Sequence, residues 1–251
     1  LGVIIGVAAV VALMSIGNGA QASITGEITS IGSNLFFVAP GIVDLGPGHG
    51  GAVGGGTAET LTLKDAETIA NGVSNVARVA PQFDQKTQVT FGAESVTVAV
   101  TGVTSEYQET INGVEMDRGR FIADKDVDGR ANVAVLGYQT AYDLFGGFDP
   151  LGQKIKISLP GGNGARASLT VVGVVTERSS SMMTNPNEVV MVPISTAQTE
   201  IFDGRRGRAE PLVTRINVMA VSEEQVDAAA EEVTELLRDQ HDLQDDEEND
   251  F

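Results

Sequence analysis

The sequence predicts an α+β protein: a discontinuous α+β core built from both ends of the chain, a β-rich subdomain inserted between them, and a long helix ahead of both. Three observations predict it. The first twenty-six residues carry no charge, and residues 1–16 (LGVIIGVAAVVALMSI) are an apolar run broken only by Gly2, Gly6 and Ser15. Beyond this run each end of the chain offers strand and helix units, and the middle is rich in strand-like segments. In such a fold the two ends must meet, and both termini point toward the same side.

The elements follow in order. A membrane-spanning helix needs about 20 apolar residues. Sixteen is short, in the range where a buried core helix also fits. Leu1 is not Met, so the run is expected to extend upstream. No basic n-region and no clean A-x-A site accompany it, which argues against a secretory signal. Gly2 and Gly6 form a small-xxx-small pair, a motif common by chance. Ala20, Ile24, Ile28 and Ile31 then recur at helical spacing, with Gln21, Thr25, Glu27 and Thr29 between them. The same helix is expected to leave the membrane and become amphipathic, stopping at Gly32 and Asn34. Residues 35–38 (LFFV) read as a short buried strand closed by Pro40 and Gly41.

Residues 41–60 contain eight glycines and read as a flexible linker. Thr62 and Asp65 form a capping-box-like start for a helix carrying Ala66, Ile69, Ala70 and Val73. Strands are expected over 87–91 and 96–103 with a turn at 92–95. A second region begins near Gly113. It contains a strand over 132–136, a helix over 138–145 ended by Gly146 and Gly147, and strands over 154–159 and 168–175 around a loop at 160–164. A strand over 188–192, a helix over 194–202 and a loop over 203–208 (DGRRGR) follow. The last unit is a strand over 215–221, then a helix capped by Ser222 with Gln225 in the capping-box position. Its apolar stripe is Val226, Ala229, Ala230, Val233, Leu236 and Leu237, and an acidic tail covers 239–250.

Composition narrows the function. The chain has 251 residues, enough for one large or two small domains, and its 42% hydrophobic content supports a real core. With no Cys, disulfides and thiol catalysis are excluded. A formal charge of −18 excludes nucleic acid, whose phosphates need a basic surface, and opposes lying flat on an anionic membrane. Only five of the 16 basic residues are Lys. An acidic, Lys-poor surface fits work in high salt, where screening weakens self-repulsion; a cationic ligand is the competing explanation.

The candidate motifs are few. No G-x-x-x-x-G-K-[ST] phosphate loop is present. Gly46, Gly48 and Gly51 spell G-x-G-x-x-G, yet Gly54, Gly55 and Gly56 follow where a nucleotide fold needs a helix, so the match is low-complexity chance. Asp124, Asp126, Asp128 and Gly129 match the opening of a calcium loop, in which oxygens at alternate positions surround a hard cation. The bidentate twelfth position is Val135, so this is a weak calcium candidate beside the plainer reading of a solvated acidic turn. His49 and His241, the only histidines, are expected to be solvated, and no catalytic or cofactor-binding residue is assigned.

Several stretches in order and spacing resemble a known family. Residues 1–13, Gly17-Asn-Gly-Ala20, Ile31-Gly-Ser-Asn-Leu35 and Val38-Ala-Pro-Gly41 open the resemblance. Residues 61–66 (LTLKDA), 102–107 (GVTSEY), 118–121 (RGRF), 133–137 (VAVLG), 149–152 (DPLG) and 172–175 (VGVV) continue it over essentially the whole chain. Together they resemble the MacB-type ABC-transporter permeases. The resemblance implies that residues 1–33 are the end of a first transmembrane helix and a stalk. It implies a porter-like α+β part over 34–112 and 211–251 and a sabre-like insert over 113–210. It further implies an extracytoplasmic domain, held at the cell membrane by lipid-embedded helices, that couples cytoplasmic ATP hydrolysis to export or to other work outside. The ATPase is then a separate domain or subunit, a second permease copy is a partner, and an extracytoplasmic adaptor or regulated protein is another. The stalk, with no Pro before Pro40 and with Gly17, Gly19 and Gly26 as soft points, would act as a lever. A different class remains open: the ectodomain of a cell-division-type permease that regulates an outside partner without exporting. An adjacent adaptor gene favours export, and an adjacent cell-wall hydrolase favours regulation.

Overall fold

The computed structural model describes residues 34–41, 60–111, 114–158, 167–178, 185–202, 210–244 and 247–251. The expected membrane helix and stalk (1–33), the glycine-rich linker (42–59) with His49, and the loops at 160–164 and 203–208 lie outside the described residues. Residues from Asn34 to Phe251 make up one compact unit.

The described strands are β1 (Leu35–Val38), β2 (Val76–Phe91), β3 (Glu94–Val103), β4 (Met116–Gly119), β5 (Val133–Leu136), β6 (Lys154–Ser158), β7 (Ala167–Val175), β8 (Val189–Pro193) and β9 (Arg215–Ala220). They join in one sheet of order β1-β9-β2-β3-β8-β5-β7-β4, and β6 pairs with both β2 and β7. That extra pairing closes a ring of six strands, β2-β3-β8-β5-β7-β6 and back to β2. Pairing is parallel between β3 and β8 and between β5 and β7, and antiparallel elsewhere. Alternation along the staves sends Val98 and Val100, Ala134 and Leu136, Ile155 and Ile157, Leu169 and Val171, and Val190 and Val192 into one buried cluster. Residues on the opposite face, Val103, Val135, Val175 and Met191, meet Val114, Phe121 and Ile122 in a second cluster.

The 16-residue β2 has two jobs. Its first half pairs with β9 and its second half is a stave of the ring. The sequence pattern predicts only the second half. The first half contains Pro81, and proline has no N–H for a ladder. Here Pro81 pairs with Ile216 of β9, and the ladder to β3 starts one residue later at Gln82, so β2 is one-sided where the donor is missing. The predicted turn shortens to Gly92 and Ala93, because Phe91 pairs with Glu94. The short β4 carries no alternation that would announce a strand.

The described α-helices are α1 (Leu63–Gly72), α2 (Tyr107–Thr110), α3 (Asp124–Asp128), α4 (Tyr138–Phe145), α5 (Ile194–Thr196) and α6 (Val226–Gln240). The α1 capping box forms as expected: Thr62 N–H donates to Asp65 Oδ2 at 2.7 Å, and Asp65 N–H reaches Thr62 Oγ at 3.4 Å. Gly146 ends α4 in the left-handed conformation, and the Phe145 ring lies 4.2 Å from the Phe91 ring. The expected helix over 194–202 is α5 running into a wider π turn at Ala197–Ile201. At α6 the expected capping box is not made. A 3-10 turn at Glu223–Gln225 precedes the helix, and the Ser222 hydroxyl bonds the neighbouring Glu224 carboxylate, holding it below the usual range. The stripe holds: Ala229, Val233 and Leu237 are buried, and Val233 and Leu237 share a core with Ala66 and Ile69 of α1. Burying one such Leu or Ile contributes about 2 kcal/mol.

The ends of the unit meet, as the discontinuous core requires. β1 lies antiparallel on β9, Leu35 opposite Met219 and Val38 opposite Ile216. At the head of the pair Ala220 N–H donates to Asn34 O at 2.8 Å, and the Asn34 side-chain amide adds a second bond, to Ala220 O at 2.9 Å.

Candidate functional site

A dense polar construction joins the last residues to the two early segments they fold against. Asp65, 2% exposed, anchors it at the start of α1. Its Oδ2 accepts from Thr62 N–H and from Thr62 Oγ at 2.9 Å, and its Oδ1 accepts from Gln240 Nε2 at 2.6 Å. His241 follows Gln240 at the end of α6, with its imidazole 10% exposed. One ring nitrogen, Nδ1, lies 2.7 Å from Asp250 Oδ1, and Nε2 lies 3.5 Å from Asp65 Oδ2. An ionised carboxylate has only acceptors, so the ring donates from Nδ1. Phe251 meets the ring edge-on at 5.8 Å.

Asp250 is used twice. Beyond its side-chain bond to His241, its carbonyl accepts from Gly41 N–H and from Thr60 Oγ, each at 2.8 Å. Arg238 holds the approach to this point: its Nη1 donates to Glu247 O at 3.0 Å and to Asn249 Oδ1 at 2.6 Å, and Nη2 donates to Gln244 O. The expectation of a solvated His241 beside a free acidic run is therefore corrected. The chain turns back at Asp242, one of the two described non-glycine residues with positive φ, and brings Asp250 onto the imidazole.

The calcium candidate residues occupy α3, a single helical turn. Their i, i+2, i+4 spacing puts Asp126 on the face opposite Asp124 and Asp128. Asp126 is 4% exposed, grips Arg120 with both oxygens and accepts from Ala123 N–H at 3.0 Å. The Arg120 bond holds its carboxyl below the usual range against the opposing effect of burial. Asp124 accepts from the Ser105 hydroxyl. Among the described residues, no three His, Asp or Glu side chains gather to hold a metal ion.

A second polar network lies where β2, β3 and β9 run together. Asp84 accepts from Thr101 Oγ at 2.7 Å and Gln82 Nε2 at 2.6 Å, and its N–H donates to Thr214 Oγ at 3.0 Å. Asn217 Nδ2 donates to Ala80 O and to Gln82 Oε1. Tyr107 of α2 sits in the field of this network. Burial first, and the Asp84 charge second, push its phenol up to about 12. These bonds run between side chains and backbone of three neighbouring strands, as in a fold-holding network.

Arranged this way, the groups can fasten segments together. The sequence reading named Asp124, Asp126 and Asp128 but missed His241, Asp250 and the second role of Asp65. Gln240 lies 175 residues from Asp65 and Thr60 lies 190 from Asp250, beyond any local spacing, and the separation of 9 residues between His241 and Asp250 matches no helix or strand period. Among the described residues no helix is long and apolar enough to cross a membrane.

A family model described as the MacB-like periplasmic core domain matches residues 1–236. The chain is 32% identical over 243 residues to the macrolide export ATP-binding/permease protein MacB of Chlorobium luteolum, covering 97% of this chain and 34% of that protein. It is 30% identical over 251 residues to the protein of the same name from Chlorobaculum tepidum, covering 100% of this chain and 36% of that one. The chain thus spans about a third of the length of these relatives. Its fold is similar to the periplasmic region of MacB from Actinobacillus actinomycetemcomitans, with a TM-score of 0.64 at 22% identity over 86% of this chain and 87% of that one. It is also similar to the extracellular domain of YknZ, a noncanonic ABC-type transporter from Gram-positive bacteria, with a TM-score of 0.60 at 20% identity over 74% and 87%. The mixed α+β architecture agrees with both, and the family model spans all but the last residues: the chain belongs to the MacB-like periplasmic core domain family.

Proposed function

We propose that this chain is the extracytoplasmic domain of an ABC-transporter permease subunit, which couples ATP hydrolysis on a separate domain or subunit to export or to other work outside the membrane. The observation that carries the reading is the family match over residues 1–236, a span that includes the uncharged run ahead of the folded unit. Relatives 32% and 30% identical to it are named as macrolide export ATP-binding/permease proteins, and the chain spans 34% and 36% of them; in this reading ATP binding lies in the remainder.

In this reading residues 17–33 are a lever between the bilayer and the folded unit, and two permease copies work together. Within the unit, 34–112 and 211–251 form the porter-like part and 113–210 the sabre-like part. β1, β2, β3 and β9 then belong to the first and β4 to β8 to the second, seamed by the β3–β8 and β2–β6 ladders. A seam of two ladders favours motion of the unit as one body.

The test uses the absence of Cys in this sequence. Single cysteines replace Ala20 and Thr25 in the full-length permease, and symmetric crosslinking is measured with and without trapping of the ATP-bound state. The lever predicts that crosslinking yield changes with the trapped state. Yields indifferent to nucleotide at both positions would refute it.

A further inference from the structure

We infer that His241 is the centre of a clip that makes the start of the folded unit and its last residues a single mechanical body. The clip joins three stretches distant in sequence: Gly41 just after β1, Thr60 to Asp65 leading into α1, and Gln240 to Phe251 at and beyond the end of α6. Asp250 is the shared element. Gly41 N and Thr60 Oγ each lie 2.8 Å from its carbonyl oxygen, so they are at most twice that distance apart. One backbone oxygen therefore pins both ends of the 42–59 segment to the last residues of the unit.

The position of that oxygen depends on the Asp250 side chain, and the side chain depends on His241. The imidazole fills the space between two carboxylates, Asp250 on Nδ1 and the almost fully buried Asp65 on the Nε2 side. Phe251 closes the ring from its edge, and Arg238 fixes the intervening turn. Removing the ring takes from the Asp250 carboxylate the group that holds it, while Asp65 keeps its bonds from Thr62 and Gln240. The 247–251 segment then loses its hold, and Gly41 and Thr60 lose their common acceptor with it.

The use of the clip rests on the permease reading: there, force entering before β1 and force leaving after Phe251 would act on one body. The existence of the clip does not rest on it, and the experiment separates the two. Hydrogen exchange is followed by mass spectrometry in the full-length protein containing this chain, without nucleotide, for wild type, His241→Ala, Asp250→Ala and Val233→Ala. In His241→Ala, the peptides containing Gly41 and residues 247–251 are expected to accelerate together by about tenfold or more, the scale of one lost charge-assisted hydrogen bond. Peptides across β2 and β3 are expected to keep their wild-type rates. Asp250→Ala retains the carbonyl but not the carboxylate, and gives the same joint acceleration if His241 acts through Asp250; it serves alone if His241→Ala does not fold. Val233→Ala loosens the α6 core without touching the clip and leaves the two peptides no more coupled to each other than to the rest of α6. If 247–251 accelerates while Gly41 does not, or if neither moves, the clip is refuted. A protein with no nucleotide-dependent stroke would refute the proposed function and leave this exchange result standing.

Discussion

Arg120 grips Asp126 with both arms of its guanidinium, Nη1 at 2.5 Å from Oδ2 and Nη2 at 3.0 Å from Oδ1. The arginine side chain is 42% exposed and the aspartate 6%, so the pair has one wet and one dry member. Its strength lies in the dry one. An unpartnered buried carboxylate keeps its full desolvation penalty, whereas an exposed guanidinium finds water. The pair ties the strand end at Gly119 to the turn of α3, through Arg120 N–H on Val172 O and Asp126 on Ala123 N–H.

Replacing Arg120 by Ala is expected to destabilise the fold by about 2 kcal/mol at pH 7, the scale of a buried charged acceptor left without its donor. The acid side follows from the depressed pKa of Asp126. Its stabilisation is fully present above the unfolded aspartate value of about 3.9 and is lost as pH falls through the lower folded value. Urea unfolding of wild type and Asp126→Asn between pH 6 and pH 2 checks this. The stability gap is expected to narrow below about pH 4, and a gap constant over the range would assign the effect to shape instead of charge.

Gly119 and Gly92 both have positive φ, at 73° and 59°, and yet differ in what surrounds them. A Cβ on Gly119 would come 2.1 Å from Val172 O and 2.9 Å from Gly173 Cα, while a Cβ on Gly92 meets nothing within 4 Å. Gly92→Ala is expected to cost about 1 kcal/mol, the price of a left-handed residue alone. Gly119→Ala is expected to cost about 3 kcal/mol, since backbone must also move. Chemical denaturation of the two variants ranks them, and equal losses would mean that β4 yields freely at the sheet edge.

Tyr107 gives a signature on the alkaline side. Between pH 10 and 12 the unfolded chain has released this phenolic proton and the folded chain, whose value is raised to about 12, has not. The native state then binds more protons than the unfolded one, so stability falls as pH rises through that window. Ultraviolet titration is expected to show one phenolate step near pH 12, absent in Tyr107→Phe. The variant is also expected to lose part of the alkaline destabilisation. A step that survives the substitution would place the buried phenol elsewhere.

Legibility in the sequence tracked how local the cause was. The helix α4 could be read because its stop, Gly146 with Gly147, sits next to its stripe. The α1 capping box is three residues long, and β7 and β6 announce themselves through continuous and alternating apolar residues. The first half of β2 could not be read, because Pro81 is tolerated only where the next ladder has not begun, a fact of sheet assembly. Ser222 and Gln225 carry the letters of a capping box, yet a 3-10 turn took their place. Asp124, Asp126 and Asp128 share a motif in sequence and separate in space, because a helical turn rotates alternate residues to opposite sides. His241 is the reverse case, expected to be solvated from its acidic neighbours in sequence and 10% exposed between two carboxylates in space.

The ring of six strands gives the unit an uneven resistance to force. β1 and β4 sit at the ends of the strand order, and each is held by a single ladder, so each can be unzipped one bond at a time. A stave of the ring is bordered on both sides, and extracting it requires two ladders to fail at once. Load reaching β1 would thus strip a hem while the hoop keeps its shape, unless the load is shared at once with a second attachment to the hoop.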